Sequence, residues 1–387
     1  MSSQRFEFAN ILRGLAAVSV VISHLALGYW LDPATISLFT GMPTVHADPP
    51  AIARFFQAIP INFGSFGVGL FFVISGFVIP YSLVAYDVRA FLVGRFFRIY
   101  PTFWAGLAIS VAALAVAAHF FGAQPPVGVR QVVLHGLAPL RPIFESRPVD
   151  GVVWTLEVEL FFYCLCALLA REIALGRRRL GLAPVAIFIL WAPCFIMSAV
   201  PPAGYEEIGR RMQFLAVYAP FLILMFVGVA YNLWMRGKLD GREACVWIAG
   251  YMGLFAATWA TRFLGPDWKP MLRGVIDLPS YLTAVAVFFI CAALRGRLRQ
   301  ARLLDFFARI SYSLYVAHQL AGYVALRYLT GLGVEANLAT VLAIVLAIAL
   351  AFVLHVCVEG PTHRFGQAMA RRMAARRRTE TAAATVS

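Results

Sequence analysis

Ten stretches of the chain are apolar almost without interruption: residues 8–29, 64–84, 99–120, 152–170, 182–200, 213–234, 245–263, 277–294, 310–329 and 336–357. Each is close to the roughly 20 residues that a helix needs to cross a bilayer core of about 30 Å. Short connectors join most of them. Two longer ones, about 30–63 and 121–151, are rich in proline and glycine and hold His46, Asp48, Glu145 and Asp150. Such loops either cover a binding site or simply connect. The pattern predicts an all-α integral membrane protein, a single bundle of about ten transmembrane helices.

Charge orients the bundle. With the N-terminus inside, 22 of the 33 lysines and arginines fall in cytoplasmic segments and nine in outer ones, while Arg13 and Arg327 lie within spans. Positive residues favour the cytoplasmic side, so both termini are expected there. The first run is too long for a signal-peptide core and contains Arg13, which argues against cleavage. Of the 387 residues 61% are hydrophobic and only 13% charged, about half the charge of a soluble domain. The net charge of +14 therefore reports topology and contact with anionic membrane lipid, with no nucleic-acid partner expected. Residues 1–365 are expected to form one transmembrane domain, and 366–387 a basic cytoplasmic tail, partly disordered. All six cysteines sit in or beside apolar runs and read as small core residues, not as disulfides or metal ligands.

The polar exceptions inside the runs are where chemistry is expected, because ionisable groups in a span are unfavourable and mark function by default. Arg13 and His24 are eleven residues apart, so they share one helix face about 16 Å apart. Either alone could be a snorkelling arginine or a histidine satisfied by a neighbour; the pair on one face points to function. Glu157 and Glu159 lie in the fourth run, about 200° apart around the helix. Counted from the span ends, Glu159 stands near the level of His24, which predicts a His24–Glu159 pair with the carboxylate orienting the base. Arg95 and Arg98, in GRFFRIYP (94–101), lie with Arg13 toward the inner face. They either anchor the span or clamp the phosphates of a cytoplasmic cosubstrate. In the ninth run Ser311, Tyr315 and His318 share a face. Glycines 64, 67, 69 and 76 of the second run predict close helix packing. Phosphate-binding loops, dinucleotide fingerprints, zinc spacings and nucleophile elbows are absent from the sequence.

These motifs together resemble the membrane-bound acyltransferase-3 family of acyl-CoA-dependent enzymes. The resemblance runs nearly end to end: ANILRGLAAVSVVISHL with Arg13 and His24, FGVGLFFVISGFVIP (66–80), GRFFRIYP, VVWTLEVELFFY (152–163), ISYSLYVAHQL (310–320) and VEGPTHRF (358–365). It implies transfer of an acyl group, most often acetyl, from cytoplasmic acyl-CoA to a hydroxyl of an exported carbohydrate or glycolipid, in a multi-pass protein of the bacterial inner membrane. His24, Arg13 and Glu159 carry over as catalytic residues and Arg13, Arg95 and Arg98 as holders of acyl-CoA. Trp154, Glu157, Tyr315 and His318 are further candidates to line the site, and no metal is implied. Gly69 stands where many members have aspartate, and Glu157 where serine is common. The hydrolase-like domain of some members has no counterpart, so acceptor recognition is expected from the bundle and its outer loops. His24 would either deprotonate the acceptor or carry the acyl group transiently. The rival reading is a transporter or flippase of a sugar or lipid-linked intermediate, which would favour repeats or broken helices at the midplane.

Overall fold

The computed structural model describes residues 4–124, 127–144, 146–259, 277–298 and 302–386. Glu145, Arg262, Lys269, Arg273, Arg299 and the end of the seventh run, 260–263, lie outside them. Among the described residues every regular element is helical. The long helices are α1 (Gln4–Val21), α2 (Phe63–Ala85), α3 (Val88–Phe121), α4 (Val153–Leu168), α5 (Ala183–Ala199), α6 (Glu206–Met235), α7 (Gly241–Trp259), α8 (Leu278–Ala293), α9 (Arg302–Gly331), α10 (Ala336–Leu354) and α11 (Gly360–Val386). The first ten follow the ten apolar runs in order, and α11 carries the basic tail.

Six stretches are long and apolar enough to cross a membrane by themselves: Glu7–Leu31, α2, α3, Arg178–Ala199, α6 and Ala336–Arg376. The other runs fall short for plain reasons. Helices α4 and α8 have 16 residues each, about 24 Å of rise. Helix α7 opens on Arg242 and Glu243, and α9 carries Arg302, Asp305, Arg309 and Arg327. The architecture is that of a multi-pass helical membrane protein.

The helices sort into two compact units, Met1–Phe71 with Phe103–Glu157 and Asp267–His355, and Phe72–Thr102 with Val158–Pro266 and Val356–Ser387. Hydropathy alone predicts one bundle, because it does not say which helices share a core. In the first unit α1 lies parallel to α9 at close range. A Cβ on Gly14 would overlap the Leu304 carbonyl oxygen, and one on Gly322 the Leu25 side chain. Small residues at such crossings let backbones approach where lipid gives no hydrophobic drive. Phe8 meets Phe288 of α8 edge to face, and Trp30 donates to Thr340 Oγ1 of α10 (3.1 Å). The connector that follows α1 opens with a helix, Pro33–Thr40, which Asp32 caps by accepting from Thr35 N.

The second unit is built on α6, buried without a break from Ile223 to Leu233. Helix α2 meets it backbone to backbone: a Cβ on Gly76 would overlap Met225 O, and one on Gly228 would overlap Val73 O. Asn232 Nδ2 donates to Phe77 O (2.8 Å) at the same crossing. The predicted close packing at Gly76 is thus present, and it leaves no room for a side chain.

Candidate functional site

The parallel crossing of α1 and α9 decides which polar groups meet. Ser311 and His318 are two turns apart on α9 and share a face. Arg13 Nη2 donates to Ser311 Oγ (3.2 Å), and His24 Nδ1 lies 2.8 Å from His318 Nε2 with the two rings 6° from parallel. The face read on α1 is answered by the face read on α9. His24 stands on a π-helical turn, Ile22–Gly28, that prolongs α1; such turns are frequent at functional sites.

The hydrogen bonds assign the tautomers. His318 Nδ1 sits 2.8 Å from Leu314 O and 3.0 Å from Tyr315 O. Carbonyls only accept, so Nδ1 carries the hydrogen and the neutral ring offers a bare Nε2. His24 Nδ1–H donates to it, which leaves the lone pair of His24 on Nε2. His318 is fully buried, whereas His24 is partly exposed. The orienting group on His24 is therefore an imidazole from α9.

His24 Nδ1 is thus bonded to His318 and not to the predicted Glu159. Glu159 belongs to the second unit, where its Oε1 accepts from Ser75 Oγ (3.1 Å) and Tyr163 Oη (2.6 Å). Counting residues from span ends gives depth but no lateral position. Arg95 belongs to the same cluster. Its guanidinium lies over the rings of Tyr163 (5.3 Å) and Phe91 (5.4 Å) and donates to Ser82 Oγ (2.6 Å). Arg98 follows three residues further along α3. Of the three expected holders of acyl-CoA, Arg13 lies in the first unit and Arg95 and Arg98 in the second.

The remaining candidates organise the start of α4. Glu157, wholly buried, takes a two-pronged bond from Arg141, Nε to Oε1 and Nη2 to Oε2 at 2.6 Å each. Arg141 Nη1 also donates to Ser146 O (2.6 Å). Glu157 thus holds the 121–151 connector. Tyr315 Oη bonds Thr155 Oγ1 and donates to Val152 O (3.1 Å), and Gln319 Oε1 accepts from Gly151 N (2.7 Å). Trp154 is half-buried on the first turn of α4.

Asp150 caps α4, its Oδ1 accepting from Val152 N and Val153 N (3.1 Å each). Its Oδ2 lies 3.6 Å from His135 Nε2. His135 Nδ1 accepts from Val149 N (3.0 Å), so the ring hydrogen is on Nε2, facing the carboxylate. Burial opposes the charge of Asp150, but His135 and the two backbone N–H groups hold its carboxyl below the ordinary aspartate range. Asp150, His135 and Arg141 carry no signal in the sequence beyond being polar loop residues. At Gly69 a Cβ would press on Tyr281 Cδ1 (2.9 Å) and Ala284 Cβ (3.0 Å); the room for an aspartate is filled by α8. Among the described residues no group of three histidine, cysteine or acidic side chains is placed to hold a metal.

Residues 6–356 match the family model of an acyltransferase domain. Two relatives are similar over most of the chain. Nodulation protein 10 of Rhizobium leguminosarum bv. viciae is 26% identical over 280 residues, 67% of each chain. Exopolysaccharide production protein ExoZ of Rhizobium meliloti (strain 1021) is 27% identical over 326 residues, 79% of this chain and 91% of the relative. No solved structure matches.

Proposed function

Since the chain belongs to the acyltransferase-3 family, we propose that it moves an acetyl group from cytoplasmic acetyl-CoA to a hydroxyl of an exported carbohydrate at the outer face of a bacterial inner membrane. An extracellular polysaccharide or its lipid-linked precursor is the acceptor class we put first, because one relative is named for exopolysaccharide production. The observation that carries the reading is the His24–His318 bond, which leaves His24 Nε2 as a basic nitrogen on a partly exposed ring.

In this mechanism His24 Nε2 takes the proton of the acceptor hydroxyl as its oxygen attacks the thioester carbonyl. The new C–O bond forms, the C–S bond breaks, and the imidazolium returns the proton to the leaving thiolate. Atoms and charge balance with CoA thiol and ester as products. Arg13, bonded to Ser311, steadies the donor along α1, where the ~16 Å of rise to His24 is of the order of an extended pantetheine arm. Arg95 is already held by Ser82 and two rings, so within its cluster we give phosphate contact to Arg98. Ten spans with both termini cytoplasmic complete the picture.

The test is acyl transfer by purified protein in lipid nanodiscs, with labelled acetyl-CoA and an envelope polysaccharide fraction. His24→Ala should lower thiol release about 10²–10⁴-fold, and Arg13→Ala should chiefly raise the KM for acetyl-CoA. Retention of full transfer by both variants would sink the mechanism. Acceptor movement across the bilayer without thiol release would favour the transporter.

A further inference from the structure

Proton transfer to His24 creates a positive charge on a ring stacked against the fully buried His318, and a charge in such a setting needs a partner. Three bonds place the 149–152 segment beside His318. Gly151 N donates to Gln319, the next residue of α9; Tyr315, one turn earlier, donates to Val152 O; and Tyr315 also bonds Thr155. Gly151 and Val152 are the residues directly after Asp150. Against the two rings themselves stand Tyr315 and Tyr323 of α9; Tyr29 packs on Tyr323 in turn, and the segment before α4 brings Asp150 with His135. The carboxylate that this segment carries is Asp150. It is buried, with His135 Nε2 3.6 Å from its Oδ2.

We propose that Asp150 is a positioning residue for the transfer: held by His135 and by the cap of α4, it supplies the fixed countercharge for the imidazolium that forms on the His24–His318 pair. The acceptor proton rests on the histidine pair and returns to the thiolate; Asp150 stays ionised throughout. The cap bonds fix its oxygens before the reaction, so no reorganisation is needed when the charge appears. The proposal rests on His24 being the base, and His24→Ala tests that separately.

The deciding measurement is the pH profile of kcat/KM for acetyl transfer in nanodiscs. Asp150→Asn keeps an oxygen to cap α4 but removes the charge. Without the countercharge the imidazolium is disfavoured, so the acid limb should move to lower pH and the plateau should fall at least tenfold. Gln319→Glu keeps the acceptor for Gly151 N and adds a negative charge beside His318, so its limb should move to higher pH. It decides the matter even if Asp150→Asn does not accumulate. An unmoved limb in either charge variant would reduce Asp150 to a helix cap and overturn the proposal.

Discussion

A neutral imidazole orients a base differently from a carboxylate. It accepts the Nδ1–H of His24 and so fixes the tautomer, but it brings no charge of its own. What His318 supplies is one lone pair at 2.8 Å in a fixed direction. Replacing it by phenylalanine removes the acceptor, frees the His24 ring to rotate and should lower kcat about 10²-fold or more. His318→Gln can still present an oxygen and should keep more of the rate. Thiol release at saturating acetyl-CoA separates the two, with little change expected in the KM of the donor. The sequence made part of this legible. Eleven-residue spacing on α1 and seven-residue spacing on α9 each identify a face, because helical periodicity is local. That the two faces meet is decided by lateral packing across almost 300 residues of chain, and that Glu159 turns to Ser75 by packing across 84, neither of which periodicity encodes.

Helix α4 carries two acids with separate partners. Two acids two residues apart in one apolar run look alike in sequence, yet they do different work. Glu159 joins the arginine cluster, while Glu157 is consumed by Arg141. The bidentate bond occupies both of its oxygens with an arginine that the chain brings from its own connector. Both groups are buried, so breaking the pair strands a charge. Glu157→Gln should destabilise the protein by about 3–5 kcal/mol, and the double variant Glu157→Gln with Arg141→Met should recover most of that loss. Thermal melts in one detergent and a double-mutant cycle would show it; equal stability of single variant and wild type would mean that the pair contributes nothing. No property of Arg141 distinguished it in the sequence from the other basic residues of the connectors, since its partner is sixteen residues away across a turn and a cap.

For the whole molecule, hydropathy located the helices but left their grouping open. Ten runs fall on ten helices, and six of these are long and apolar enough to stand as spans unaided. The proposed topology follows from charge and is directly testable. Reporter fusions at the N-terminus and after residue 386 should be active in the cytoplasm, whereas cysteines placed in 41–49 and 127–131 should react with an impermeant thiol reagent from outside. The opposite labelling pattern would invert the path assigned to the acyl donor. Along the sequence the chain passes between its two units five times. Neither unit is therefore a contiguous stretch of the gene, and recombination between relatives cannot exchange one while leaving the other whole. Both long connectors, 30–63 and 121–151, belong to the same unit as His24. New acceptor preferences are thus most readily reached by substitution or by changes of length in those two segments, where the surrounding helices keep their register.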